Sequence, residues 1–287
     1  MTKHDWFSSG TFILDGGWGT QLQLRGLTTG EHPDLWNLSQ PDKVREVAEA
    51  YIQAGSDIIL TNTFGSNRFL LARHGAENNV AEINRAGVRL SKDAAQQQNR
   101  RVFAAIGPSG VMLMSGTVTP DELYAAFLEQ AEAIAEEGPA GIVVETMSDP
   151  AEAVLAVKAA KTTGLPVAAC MVFDTGKNKD RTMMGTTPEE AVEQLTAAGA
   201  DIIGANCGQG IEGFIPICRR MRAVTALPIW MKANAGLPEV VGDKAVYHQT
   251  PETFASSARE LVLAGANFIG GCCGTTPEYI KALASSR

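Results

Sequence analysis

The sequence predicts an α/β protein built as a single (β/α)8 TIM barrel, one domain spanning residues 1–287. Three observations predict it. Short apolar runs rich in β-formers alternate with longer segments of helical periodicity, eight times from end to end. The apolar runs are nearly continuous, as in parallel strands covered on both faces. No Pro/Gly/Ser-rich linker, charge block or low-complexity stretch divides the chain. A doubly wound open sheet is the other arrangement of the same units.

The elements follow in order. Strand 11–17 precedes helix 41–53, whose end, Ala54-Gly55-Ser56-Asp57-Ile58-Ile59, is a glycine C-cap feeding buried strand 56–64. Helix 76–97 and strand 101–108 come next. Helix 119–137 starts on Thr119-Pro120, a capping threonine followed by proline at the first helical position, and leads to strand 141–147. Asp149-Pro150 starts helix 149–163 in the same way, before strand 166–173 and a polar loop, 174–186. Thr187-Pro188 starts helix 188–198, and Ala198-Gly199 turns the chain into strand 200–207. Helix 211–225 and strand 228–234 follow. Thr250-Pro251 opens helix 251–264, Ala264-Gly265 feeds strand 266–273, and Thr276-Pro277 starts helix 277–285. The three glycine turns are a weak internal repeat of one βα unit.

Composition narrows the setting. At 287 residues, 45% hydrophobic and 20% charged, the chain can bury a large core. Five cysteines, an odd number, exclude a complete disulfide framework. The start, MTKHDWFSSG, lacks the apolar core of a signal peptide, and no apolar run approaches the ~20 residues of a membrane helix. A net charge of −8 and a pI near 5.1 disfavour nucleic acid and anionic membranes as partners. A cytoplasmic location is expected.

The chemistry concentrates in cysteine. Cys272 and Cys273 stand together in GGCCGTTP, and Cys207 lies in GANCG. Three thiols from two strand ends can hold one zinc ion with its fourth position open, where a substrate thiol would bind. Ligand sulfurs of tetrahedral zinc lie roughly 3.8 Å apart, whereas consecutive side chains of a regular strand point to opposite faces. The strand must therefore bend at the pair, and Gly270, Gly271 and Gly274 permit the bend. A vicinal disulfide or two small core residues are the other readings of a Cys-Cys pair.

In a barrel, chemistry sits at the C-terminal strand ends. Cys207, Cys272 and Cys273 fall there, as do Thr63 and the residues expected to bind substrate, Asp15, Gly16, Gly17, Thr61, Asn62, Glu145 and Asn234. The other residues read as structure. Cys170 and Cys218 are small core residues, and His4, His32, His74 and His248 show no zinc or triad spacing. GPSG at 107–110 is read as a turn rather than a phosphate loop, and Gly208-Gln209-Gly210 lacks the third glycine of a dinucleotide fingerprint.

DGGWGT, TNTF, ETM, GANCG, KANAG and GGCCGTTP, in this order along nearly the whole chain, resemble the homocysteine S-methyltransferase family, which includes betaine–homocysteine methyltransferase and the homocysteine-binding module of cobalamin-dependent methionine synthase. The resemblance implies a barrel in which Cys207, Cys272 and Cys273 bind zinc and the sulfur of homocysteine completes the coordination. A thiol of pKa near 8.5 is mostly protonated at neutral pH, and metal coordination makes it a thiolate. Four thiolates leave a formal charge of −2 on the unit, so the bound sulfur stays nucleophilic. Glu145, with Asp15, suits the substrate ammonium. Backbone N–H groups at Gly16 and Gly17, with groups around Thr61, suit the carboxylate.

The methyl donor is read from departures. In betaine-using relatives an aromatic residue follows the strand-four glutamate and helps cage the trimethylammonium. Here that residue is Thr146, although Trp18, Trp36 and Phe64 offer aromatic surface. TNTF, ETM and NAGLP look closer to the cobalamin-dependent module, yet the chain ends at Arg287 without an Asp-x-His-x-x-Gly motif. A methylcorrinoid on a separate protein reconciles these facts, with S-methylmethionine or another small onium compound as the main alternative. Other functional readings are a different thiol acceptor, an aldolase-type lyase using Lys232 with incidental thiols, and a non-catalytic binding barrel.

Overall fold

A computed structural model of the chain describes residues 10–96, 98–241 and 244–286. Eight parallel strands form its barrel: β1 (Phe12–Ile13), β2 (Ile58–Ile59), β3 (Arg101–Ile106), β4 (Gly141–Met147), β5 (Val167–Met171), β6 (Ile202–Gly210), β7 (Ile229–Asn234) and β8 (Phe268–Gly271). Hydrogen-bonded neighbours run β1-β8-β7-β6-β5-β4-β3-β2. The open sheet is thereby excluded.

β1 and β2 are far shorter than expected, because side chains take over from the ladder. At the β1/β2 seam the Asp57 N–H donates to Ile13 O at 2.7 Å, while the Asp57 carboxylate accepts from Ile13 N at 2.8 Å. Asp15 Oδ2 accepts from Leu60 N at 2.7 Å. Beyond β2, Thr61 Oγ1 accepts from Ala105 N at 3.1 Å and Thr63 Oγ1 donates to Ala105 O at 2.7 Å, so two hydroxyls continue the pairing with β3.

The barrel is filled, not hollow. Phe12, Phe268, Trp230 and Phe103 stack in series at centroid spacings of 5.2, 5.2 and 5.5 Å. A Cβ on Gly204 would meet Trp230 O at 2.0 Å, which is why only glycine fits beside this plug. Cys170 packs in this interior cluster, and Cys218 in the layer between strands and helices, as expected of small core residues.

Five proline-led helices start where the sequence placed them. Thr119 and Thr187 form capping boxes with Glu122 and Glu190, Thr250 forms one with Thr253, and Asp149 accepts from Ala151 N. Thr276 differs: its hydroxyl turns to the Glu278 carboxylate and makes no cap bond. The expected helix 76–97 is a 3-10 turn, Glu77–Asn79, followed by Val80–Gln96, and Gln97 lies outside the described residues. A short antiparallel hairpin, Glu239–Val241 with Lys244–Val246, follows β7 and was not anticipated. Among the described residues no helix is long and apolar enough to cross a membrane.

Candidate active site and metal centre

Two bulges shape the mouth of the barrel. The register of β4 shifts between Val144 and Met147, and that of β6 between Asn206 and Gly210. At these points Thr146 and Cys207 both adopt a left-handed backbone, each with φ of 61°. Such a conformation is strained for non-glycine residues and persists only when neighbours enforce it. At Thr146 the enforcer is Asn206. Its Oδ1 accepts from Thr146 N at 2.7 Å, while its Nδ2 donates to Thr146 Oγ1 at 2.7 Å, to Glu145 Oε2 at 3.2 Å and weakly to Cys272 Sγ at 3.9 Å. One buried carboxamide thus ties both bulges to the cysteine pair.

Cys272 and Cys273 do not end a strand, as the sequence suggested. β8 stops at Gly271, and the pair lies in a turn in which Thr275 N and Oγ1 donate to Cys272 O at 3.1 and 2.7 Å. The turn is anchored by Cys272 N to Ala233 O at 2.7 Å and by Cys273 N to Asn234 Oδ1 at 3.2 Å. It achieves the bend that regular pleating forbids. Gly17 lets the turn approach, since a Cβ there would meet Cys272 O at 2.6 Å.

The three thiols converge. Cys207 Sγ and Cys273 Sγ are 3.8 Å apart, and all three ligand atoms lie within 4.8 Å of one another. Hydrogen bonds from Cys272 and Cys273 pull Cys207 well below the usual thiol range. Donation to Cys207 in turn holds Cys272 and Cys273 above that range. The protein alone therefore favours one thiolate and resists three. A thiophilic cation fits this donor set, because only added positive charge lets all three sulfurs ionise together.

Beside the thiols lies a cavity of about 440 Å³, lined among others by Gly16, Gly17, Trp18, Thr61, Phe64, Glu145, Thr146 and Lys232. Glu145 is 7% exposed. Burial pushes its carboxyl up to about 7, against the pull of Lys232 and with the help of Asp15 and Cys207. Lys232 is 2% exposed and contacts Asp15 Oδ1. Burial alone would lower its pKa, but Asp15 and Glu145 outweigh it and raise the ammonium above its usual range. It is thus a fixed cation, unlike the neutral amine an aldolase lysine must present. A groove of about 480 Å³ elsewhere, lined by Thr11, Val262 and Leu263 among others, has no thiol or side-chain carboxylate among the described residues.

Several expected substrate contacts also make internal bonds. Asp15, with no exposed surface, accepts from Trp18 Nε1 and Leu60 N, each at 2.7 Å, besides Lys232. The Gly17 N–H is taken by Thr275 O and Oγ1 at 3.2 and 3.1 Å, so it is not free for a carboxylate. The Thr61 hydroxyl is 2.6 Å from that of Thr63 and accepts from Ala105 N. Asn62 reaches away from the cavity to Pro33 O and Asn37 Oδ1 at 2.9 and 3.0 Å, fastening the segment whose Pro33 and Asp34 form another wall. Asn234 holds the Cys273 amide.

Sequence reasoning missed Asn206 and the ion-paired role of Lys232. The available signal was a polar residue within an otherwise apolar buried strand, GANCG in one case and IWMKAN in the other. Buried Asp34 was also missed; it accepts from Gly65 N and Ser66 Oγ at 2.7 Å, and burial pushes its carboxyl up to about 7. Trp18 and Phe64 line the cavity, whereas Trp36 is buried away from it with Lys43 Nζ 4.7 Å from its ring centroid. In GPSG the Ser109 N–H donates to Glu152 at 2.7 Å, an internal anion in place of a phosphate. His32 and His74 meet edge to face, His248 pairs with Glu239, and His4 lies outside the described residues.

The sequence model of a family described as homocysteine S-methyltransferase matches residues 12–286. Methionine synthase of Mycobacterium tuberculosis (strain ATCC 25618 / H37Rv) is 27% identical, the match covering 98% of this chain and 25% of that protein. The chain thus spans about a quarter of that relative's length. The metallated form of the homocysteine methyltransferase MmuM from Escherichia coli superposes with a TM-score of 0.80 at 22% identity, over 97% of each chain. The carboxyl transferase domain of Rhizobium etli pyruvate carboxylase superposes at 0.54 and 14% identity, over 98% of this chain and 47% of that one. At these identities the structural likenesses speak for the barrel alone.

Proposed function

Because the chain belongs to the homocysteine S-methyltransferase family, we propose that it transfers a methyl group to the thiol of homocysteine, giving methionine. The observation that carries this reading is the convergence of Cys207, Cys272 and Cys273 within 4.8 Å of one another beside a cavity that holds Glu145. Zinc held by these three sulfurs would supply the acceptor thiol as a thiolate at neutral pH.

The chain's own residues do the rest. Glu145, ionised, takes the acceptor's ammonium and fixes its orientation. Asn206 keeps Glu145 and the cysteine turn in one register, so that a sulfur bound near the thiols and an ammonium bound at Glu145 belong to the same molecule. Trp18 and Phe64 provide apolar walls that keep water from the attacking sulfur.

The donor we propose is a methylcorrinoid carried by a separate protein. Exposed apolar side chains in the loops after β2, β3, β5 and β7, namely Phe64, Met112, Met114, Met183, Met184, Leu237 and Val240, suit a large partner at the mouth. A small onium donor is the second reading, favoured by the two aromatic rings in the cavity. A donor screen tests both. Methylcobalamin, S-methylmethionine, betaine and S-adenosylmethionine would each be offered with homocysteine to protein of known zinc content. Methionine formation is expected with the first or second, and failure with all four would refute the reading.

A further inference from the structure

The cavity contains a cation whose hydrogen-bonding capacity is mostly unused. The Lys232 ammonium has three donors, and among the described residues Asp15 Oδ1 is its one hydrogen-bond acceptor. Leaving donors of a buried charge unsatisfied is strongly unfavourable. Lys232 lines the cavity, so an acceptor entering there can reach it. On the same wall Glu145 is bonded through Oε2 to Asn206, and its other oxygen has no protein donor among the described residues. The cavity therefore presents, near three thiols, one anionic group with a free acceptor and one cationic group with free donors. Of the other groups expected to take a carboxylate, the Gly17 N–H serves Thr275 and the Thr61 hydroxyl serves Thr63 and Ala105, which leaves the Gly16 N–H and Lys232 as donors at the cavity.

We propose that Lys232 binds the α-carboxylate of the amino-acid thiol while Glu145 takes its ammonium. The alternation Asp15, Lys232, carboxylate, ammonium, Glu145 places unlike charges side by side throughout. It makes the site selective for α-amino-acid thiols over simple amine thiols. Asp15 becomes a positioning residue that aims Lys232. The assignment rests on homocysteine being the acceptor.

Calorimetric titration of zinc-loaded protein tests it, with zinc content measured in parallel. The ligands are homocysteine, its decarboxylated analogue (the aminopropanethiol) and its deaminated analogue (the sulfanylbutanoate). Lys232→Gln is expected to weaken homocysteine and the deaminated analogue about 10- to 100-fold, the range of one charge-assisted bond, and to leave the decarboxylated analogue within about twofold. Glu145→Gln should show the opposite pattern, sparing the deaminated analogue. Equal weakening of all three ligands by Lys232→Gln, or no weakening, would overturn the assignment. If that variant does not fold because Asp15 is left unpaired, the double variant Lys232→Met with Asp15→Asn removes both charges, and the same selective loss is required of it. Wild-type protein that binds none of the thiols would instead refute the acceptor reading beneath it.

Discussion

Replacing Asn206 by Ala should be the most damaging single change that removes no sulfur and no charge. The side chain is fully buried and makes bonds at 2.7, 2.7 and 3.2 Å to Thr146 N, Thr146 Oγ1 and Glu145 Oε2. Truncation leaves the Thr146 N–H without its partner, which costs about 1–3 kcal/mol, and deprives a 93%-buried carboxylate of a donor worth about 1.5–3 kcal/mol. Because one side chain supplies all these bonds, the losses overlap rather than add. A net destabilisation of about 3–5 kcal/mol follows, against a total stability of roughly 5–15 kcal/mol. At about 2 °C per kcal/mol for a chain of this size, Tm should fall by roughly 6–10 °C. Urea denaturation and thermal melting read the effect directly, and homocysteine affinity should fall with it because Thr146 loses the clamp on its left-handed backbone and Glu145 its donor. A loss below about 1 kcal/mol with zinc and affinity unchanged would refute the bracing role.

The remaining expectations concern the thiols and protons. Cys207→Ala, Cys272→Ala or Cys273→Ala should each abolish turnover and most zinc binding, whereas Cys170→Ala and Cys218→Ala should retain both by metal analysis and assay. Glu145→Gln should weaken homocysteine by about 1.5–3 kcal/mol, and an unchanged calorimetric Kd would sink that role. Since burial holds the Glu145 carboxyl near 7 in the free protein, it is protonated below that pH and must lose the proton to accept an ammonium. Wild-type affinity should therefore rise with pH through about 7, and the part of the rise due to Glu145 should vanish in Glu145→Gln. Titration of that variant in buffers of different ionisation enthalpy should still release about one proton per homocysteine near neutrality and none for methionine; zero release for homocysteine would contradict thiol activation.

Legibility followed from which forces are local. Eight buried strands announce themselves by apolar runs, and proline-capped helix starts by backbone chemistry that needs no distant partner. The convergence of the three cysteines was legible because few other contexts place thiols so close to glycine beside two buried apolar runs. The lengths of β1 and β2 were not, because Asp57, Asp15, Thr61 and Thr63 substitute for ladder bonds through partners far along the chain. Side-chain direction at strand ends failed for a related reason. The bulges at Thr146 and Cys207 break the period-two alternation, so the inward turn of Asn206 could not be read from spacing, and the bonds of Asn62 and Asn234 to loop backbone depend on partners far along the chain.

The carboxylate of Asp15 has a consequence for how the molecule comes into being. One oxygen meets Leu60, 45 residues away, and the other meets Lys232, 217 residues away. Contacts of such separation require the loops between them to be closed, at an entropic cost. A chain emerging from synthesis without β7 has Asp15 but not its counter-ion, and lacks the cysteine turn that follows β8. Without them the cavity lacks its buried cation and two of its three thiols. The same carboxylate that bridges the β1/β2 seam also holds the cation of the pocket, so closing the ring of strands and setting the cavity's charge depend on one side chain.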